Sequence, residues 1–376
     1  MNVNEPLPLL GGLAPKSFMA RHWQRKPLLI RQAIAGFLPS LNRADLVELA
    51  GNSEVESRLI VRVDSRACGQ WRLRHGPFAR RALPPFKQPG WTLLVQGVDL
   101  HDERVHALMN LFRFVPNARL DDVMVSYASD QGGVGPHFDS YDVFLLQAQG
   151  RRRWRVGRQR DLRLQSNMPL KILANFEPEM EFILDPGDML YLPPRYAHEG
   201  VALGDCMTYS IGFRSPSRSE LTTELLQRIS DQTLDEGSAD LYRDPKQEAV
   251  EHSGAIPLGL FDFAQSALAQ VLLAPTSIQC ALGEYLTEPK ASVCFDAKCG
   301  PIGDGMLRLD RRSRMMYDDR FVFINGESFL AVGRDARHMR ALADERVLAA
   351  AQVRQLGADA RALVFEWVAA GWLYVE

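Results

Sequence analysis

The sequence predicts a mainly β chain with added helices: a closed antiparallel barrel over residues 1–215, a helical domain over 216–290 and a mixed domain over 291–376. Three observations carry this reading. Up to residue 215, short apolar or alternating runs are separated by turn residues, with no strand–helix repeat. After Arg214 the alternation stops, and Leu221, Leu225 and Ile229 recur at helical spacing. From residue 291 strand and helix patterns are interleaved. A chain of 376 residues has room for two or three such domains.

The elements follow in order. Residues 17–23 have helical spacing and lead into a strand over 27–31. Asn42 is placed to cap a helix over 43–50, with Gly51 where a C-terminal glycine belongs. Residues 58–63, 71–74 and 91–96 read as strands. Val105, Leu108, Met109 and Phe112 predict an amphipathic helix over 101–114, and their Met and Phe side chains belong to a core. Residues 123–127 open the next strand set. Further strands are expected over 179–184, with Met180, Phe182 and Leu184 on one face, and over 189–192 and 207–213. Ser217 or Ser219 caps the first helix of the second part. A polar linker over 231–254 precedes helices over 258–273 and from Pro275 or Thr276 to near 286. Strands are then expected over 306–309, 320–324 and 329–332, with a hairpin turn at Asn325-Gly326. Helices follow over 335–343, 345–353 and 358–370. Gly371 ends the last, and a strand over 372–375 closes the chain. Helices followed by a short strand resemble a winged helix.

Chemistry concentrates in residues 132–157, GGVGPHFDSYDVFLLQAQGRRRWRVG. The leading GGVG precedes a strand rather than a helix, so it is no phosphate cradle; glycines there let the backbone pass close to a ligand. His137 and Asp139 are two apart. In a strand they project from one face about 6 to 7 Å from each other, as two ligands of one metal would. A turn is expected at Ala148-Gln149-Gly150, then a second strand over 151–156. Trp154 and Val156 mark its buried face. Arg152 shares that face, whereas Arg151, Arg153 and Arg155 share the other. A buried cation needs a partner. Arg152 either pairs with a buried acid or grips an anionic ligand, and arginine is suited to holding a carboxylate at two points. A third metal ligand comes from residues 185–200, DPGDMLYLPPRYAHEG, where a turn, a buried strand and a Pro-Pro stop precede His198. Two histidines and one carboxylate with open positions are the donor set of non-haem Fe(II) oxygenases.

These two stretches resemble the double-stranded β-helix (cupin, JmjC-type) 2-oxoglutarate oxygenases. Within them they are most similar to the bacterial ribosomal oxygenases, which hydroxylate an arginine of a large-subunit ribosomal protein, number sixteen of that subunit. The likeness runs along the chain and is strongest over residues 123–213. It implies that His137, Asp139 and His198 bind Fe(II), and that Arg152 pairs with the distal carboxylate of 2-oxoglutarate. Many relatives have lysine there; the ribosomal group has arginine, as this sequence does. Ser210 matches a position near the cosubstrate loosely. The likeness further implies a ribosomal protein substrate and a homodimer formed by the helical domain. An arginine substrate calls for carboxylates or aromatic faces, and Asp130, Tyr141 and Asp142 lie near the metal segment. A histidyl hydroxylase or demethylase would use the same iron chemistry. A metal-binding cupin without 2-oxoglutarate would show His-x-His and Glu, and would leave Arg152 without a purpose. A non-catalytic adaptor has no need of an intact triad.

Composition narrows the partners. A net charge of −2 gives no general drive toward nucleic acid or membrane. The basic run over 311–314 is offset by Asp310, Asp318 and Asp319, so it is read as a solvated loop and no direct nucleic-acid binding is expected. The five cysteines, Cys68, Cys206, Cys280, Cys294 and Cys299, include no CxxC, which points to inert thiols in a reducing, cytoplasmic setting. No cationic leader with an apolar run opens the sequence, and no apolar run is long enough to span a membrane.

Overall fold

The computed structural model describes residues 2–63, 70–235, 241–245, 256–273, 276–297 and 305–376. The chain divides into two compact units, Met1–Ser215 and Pro216–Glu376.

The first unit opens with α1 (Pro15–Arg21), β1 (Leu28–Ile30) and α2 (Arg43–Leu49). The expected cap on α2 is present as a capping box. Asn42 Oδ1 accepts from Ala44 N at 2.7 Å, and Asp45 Oδ2 accepts from Asn42 N at 2.8 Å. Strands β2 (Ser57–Val63), β3 (Gln70–His75) and β4 (Trp91–Val95) precede α3 (Glu103–Asn110). This helix is shorter than the periodicity suggested. After Asn110 the backbone bonds tighten, with Leu111 N to Leu108 O at 3.1 Å and Phe112 N to Met109 O at 3.0 Å, so the apolar stripe continues through turns.

The remaining strands are β5 (Leu120–Ala128), β6 (Val143–Arg158), β7 (Met180–Leu184), β8 (Met189–Leu192) and β9 (Tyr196–Phe213). They form one antiparallel sheet in the order β1-β8-β6-β9-β5-β4-β2-β3, with β7 beside β6. Two sequence expectations are corrected here. Ala148-Gln149-Gly150 is not a turn between strands; β6 runs on through it as one strand of 16 residues. Residues 207–213 are likewise the second half of the 18-residue β9. The polar Gln149-Gly150 pair marks an irregularity, where the β6–β9 register shifts between Gln147 and Gln149 and again before Arg151.

Alternation along the long strands separates two environments. Met207, Tyr209, Ile211 and Phe213 point into the main core with Phe18, Phe112, Phe144 and Tyr191. Thr208 and Ser210, on the opposite face, are buried polar residues. Each aromatic fully removed from water contributes about 1.5 to 3 kcal/mol, so the apolar face fixes the register and the polar face follows from it.

The second unit contains α4 (Arg218–Asp235), α5 (Leu258–Leu273) and α6 (Ser277–Thr287). Ser217 caps α4, accepting from Glu220 N at 3.1 Å. Much of the expected linker over 231–254 lies outside the described residues, as do Pro275, Cys68 and Cys299. Helix α5 has one charged residue, Asp262, and its Leu258, Phe261 and Leu268 are 77%, 60% and 64% exposed. Helix α6 packs on the C-terminal strands: Ser328 Oγ donates to Glu284 Oε1 at 2.7 Å, and Gly326 N to Thr287 Oγ1 at 3.2 Å.

Strands β10 (Leu307–Leu309), β11 (Met315–Tyr317), β12 (Phe321–Ile324) and β13 (Glu327–Leu330) follow, then α7 (Gly333–Glu345), β14 (Val347–Leu348), α8 (Ala350–Val353), α9 (Ala358–Ala369) and β15 (Leu373–Val375). Asn325 and Gly326 take φ of 50° and 91° between the paired Ile324 and Glu327, as a two-residue hairpin requires. The expected helix over 345–353 is divided. Arg346, with φ 59°, ends α7, and Leu348 pairs with Leu307 before α8 begins. The basic run is not solvated throughout: Arg312 bonds Asp310 Oδ1 at 2.8 Å and Cys294 O at 2.7 Å, and Ser313 is buried. No described helix is long and apolar enough to cross a membrane.

The β6 irregularity is testable. Gly150 has φ 62°, and a Cβ on it would lie 2.1 Å from Asp205 O; Gly204 has φ 74° with nothing within 4 Å. Gly204→Ala is expected to cost only the backbone term, about 1 to 2 kcal/mol. Gly150→Ala should cost clearly more, read as a larger fall in the urea midpoint.

Candidate metal centre and its cavity

Residues 131–137 run beside the first half of β9. Gln131 N bonds Ala202 O at 3.0 Å, Ala202 N bonds Gly132 O at 2.9 Å, and His137 and His198 exchange backbone bonds at 3.0 and 2.8 Å. His137 and Asp139 are therefore not in a regular strand, as the spacing suggested; His137 forms a single bridge to β9 and Asp139 lies just beyond it. The glycines serve the close approach of two backbones: a Cβ on Gly133 would lie 2.5 Å from Gly200 O. Asp139 is fixed from the other side, its carbonyl accepting from Arg195 N at 2.8 Å just after the Pro193-Pro194 stop.

The chain thus brings together His137, Asp139 and His198, whose ligand atoms all lie within 4.8 Å of one another. The two imidazole centroids are 4.3 Å apart, and His198 Nε2 is 3.6 Å from Asp139 Oδ2. Each ring uses Nδ1 on a backbone carbonyl two residues earlier, Gly135 O and Tyr196 O, both at 3.0 Å. That bond assigns the proton to Nδ1 and leaves the Nε2 lone pair free for a metal. Burial first, and then the neighbouring His137, hold the His198 imidazole down at about 4, so it is neutral at physiological pH. A neutral ring is the form that ligates.

The three residues line a cavity of about 570 Å³. Arg152, Trp154 and Ser210 line it too. The alternation expected on β6 holds: Arg152, Trp154 and Val156 are 4%, 5% and 0% exposed. From the second half of β6, the Arg152 guanidinium reaches across to Ser126 Oγ on β5 at 3.2 Å and Thr208 Oγ1 on β9 at 3.0 Å. Among the described residues no carboxylate pairs with it, and its Nε is buried without a partner. Of the two alternatives left open by the sequence, the buried acid is not found among the described residues. Thr208 is held in turn by Gln147 Oε1 at 3.1 Å.

Three other candidates separate. Tyr141 lines the cavity. Asp142, the next residue, is fully buried elsewhere, accepting from Tyr191 Oη at 2.6 Å and pairing with Arg119 at 3.3 Å. Asp130 accepts from Gly204 N at 2.8 Å in a loop. The cavity instead holds Asp121 and Asp122, which the sequence reasoning missed. For Asp122 the signal was present, since Asp122, Met124 and Ser126 alternate with the apolar Val123, Val125 and Tyr127 along β5; Asp121 falls out of that alternation, where the β5–β9 register shifts between Leu120 and Val123.

Comparison with known proteins agrees with this geometry. The sequence matches the JmjC domain family over residues 107–221. It is 36% identical over 277 residues to the ribosomal protein uL16 3-hydroxylase of Escherichia coli (strain K12), spanning 73% of this chain and 71% of that one. The chain belongs to the JmjC-type ribosomal oxygenase family. Residues 266–374 match the ROXA-like winged helix, the fold expected at the C-terminus, over a span that starts before residue 291 and takes in part of the expected helical domain. The probable ribosomal oxygenase of Haemophilus influenzae is 37% identical over 212 residues, 56% of this chain and 52% of that one. Among solved structures, E. coli ycfD superposes with a TM-score of 0.84 at 30% identity, covering 97% of this chain and 98% of that one. The same ribosomal oxygenase in complex with cobalt and 2-oxoglutarate matches with a TM-score of 0.80. The oxygenase fold expected from the sequence is therefore present, barrel and winged helix both.

If the triad is a metal centre, chelator-treated protein should melt higher when Co(II) is added. At a hundredfold excess over Kd the gain is about 2.7 kcal/mol. Asp139→Ala should keep the melting point of the metal-free protein and lose the Co(II) response.

Proposed function

We propose that the chain is an Fe(II)- and 2-oxoglutarate-dependent protein hydroxylase acting on an arginine side chain of the large-subunit ribosomal protein uL16. One observation carries the reading: a two-histidine, one-carboxylate donor set shares a cavity with a buried arginine that has no acid partner among the described residues. The likeness to the E. coli uL16 3-hydroxylase supports the choice of substrate protein, and the ycfD complex with cobalt and 2-oxoglutarate supports the cosubstrate.

The donor set fits Fe(II), a borderline ion that takes imidazole and carboxylate together. Bound by His137, Asp139 and His198, the iron supplies dioxygen activation for insertion into an unactivated C–H bond. The protein supplies the rest. Arg152 grips the distal carboxylate of 2-oxoglutarate, with Ser126 and Thr208 holding the guanidinium in place. Ser210, buried on the same wall, positions the cosubstrate. Val143 and Leu145 give the cavity part of an apolar wall. Asp121, paired with Arg214 at 3.6 Å, and Asp122, which accepts from Gln96 Nε2 at 2.8 Å, bring negative charge to the cavity, and Tyr141 an aromatic face, toward a substrate guanidinium. No side-chain general base is required.

The protein acts as a homodimer in this reading, with residues 216–290 as the dimerisation domain. Helix α5 is apolar on nearly every side and exposed, and such a helix is stable only when buried. The winged helix serves protein docking rather than direct nucleic-acid binding, and a ribosomal substrate places the enzyme in the cytoplasm.

Intact masses of all large-subunit ribosomal proteins, with and without the gene, test the reading. Loss of one oxygen's mass from uL16 in the deletion strain is expected; no change in any of them would remove the ribosomal substrate. In purified protein, His137→Ala and Asp139→Ala should abolish 2-oxoglutarate turnover without unfolding. Arg152→Ala should raise its KM at least about thirtyfold, the scale of losing one partner of a buried charged pair. Light scattering should give twice the chain mass, falling to one with Phe261→Glu and Leu268→Glu combined.

A further inference from the structure

The β6–β9 ladder spaces the metal end of the cavity from the cationic end. Val156 is registered against His198, Trp154 against Gly200 and Arg152 against Ala202. Arg152 is thus four residues along β6 from the rung that carries His198, about 13 Å of strand. Trp154 is the residue between them. Its ring centroid is 5.9 Å from that of His198, and the Arg152 guanidinium carbon is 5.2 Å from the Trp154 ring. The ring has no room to retreat toward β9. A Cβ on Gly200 would lie 2.7 Å from both Cη2 and Cζ3 of the indole, so glycine there is what seats it. The indole N–H is buried with no acceptor in the protein, as is Arg152 Nε. Two neighbouring N–H donors therefore lack partners in a cavity wall.

We infer that Trp154 is the specificity-determining residue for the cosubstrate, acting as a fixed wall between the metal ligands and Arg152 that admits a five-carbon 2-oxo diacid and disfavours longer ones. This rests on the 2-oxoglutarate reading above. The indole lines the cavity between the two ends to which the diacid must bind at once. Both its stacking on Arg152 and its seat on Gly200 oppose displacement, so an extra methylene has to be accommodated by strain in the ligand.

Direct binding tests it, read by calorimetric titration of 2-oxoglutarate and of 2-oxoadipate, one methylene longer, into Co(II)-loaded protein. The wild type should prefer 2-oxoglutarate by at least about tenfold, the scale one methylene commands in a fitted pocket. Trp154→Phe, with a smaller ring and no N–H, should weaken 2-oxoglutarate and bring the two diacids within about threefold of each other. Its Co(II) affinity should be unchanged. Gly200→Ala pushes the ring into the cavity and should shift preference toward oxaloacetate, one methylene shorter, which gives a second reading if Trp154→Phe does not fold. The readout is the ratio between diacids, because a merely structural role weakens all of them alike. An unchanged ratio, or an equal loss for every diacid, overturns the proposal. If the wild type binds none of the diacids, it is the 2-oxoglutarate reading that fails, and the wall falls with it.

Discussion

The pairing of β6 with β9 is the constraint on which the site depends. It runs from Val143 against Gly212 to Arg158 against Tyr196. His198 lies in it, Arg152 and Ser210 project from it, and His137 is fastened to it by two backbone bonds. A slip of one residue would exchange the faces, turning Arg152 and Trp154 outward and Arg151 and Arg153 in. On β9, Met207, Tyr209, Ile211 and Phe213, packed in the main core opposite Thr208 and Ser210, oppose that slip. The chemistry of the cavity is thus held in place by side chains that never touch it.

Two buried charges show how the fold treats structural and functional groups differently. Asp142 is fully buried and satisfied within the chain by Tyr191, Gln24 and Arg119, knitting the N-terminal segment to the sheet. Arg152 is nearly as buried and receives only two hydroxyls. Burying a cation without a counter-charge costs stability, and among the described residues no carboxylate pairs with Arg152. The same low-dielectric surroundings keep His198 neutral. Burial thus leaves a neutral imidazole at one end of the cavity and, at the other, a cation with no acid partner among the described residues.

Much of this is legible in the sequence because alternation is a local property. Trp154 and Val156 identify the inward face of β6, and Arg152 with it, by their spacing alone. The triad is legible as residue types, though not its support: His137 and Asp139 belong to an irregular segment, and what fixes them is a bridge to a residue 61 positions away. Non-local pairing also explains the misread elements. Gln149-Gly150 has turn composition, but its neighbours on β9 carry the strand through. Residues 347–348 have no strand signal of their own and become one because β10 offers an edge. The β5 residues that face the cavity are readable from their spacing, but only once the cavity's side of that strand is known.

Helix α5 has a consequence that is colloidal rather than chemical. The chain displays Leu258, Phe261 and Leu268 on a helix with a single charge. An exposed apolar patch of this kind adheres to other apolar surfaces, whether tube walls, detergent or unfolded chains. At low concentration a larger share of the protein is therefore lost to adsorption on such surfaces. Loss of soluble material at low concentration would then be mistaken for loss of activity unless the two are measured together.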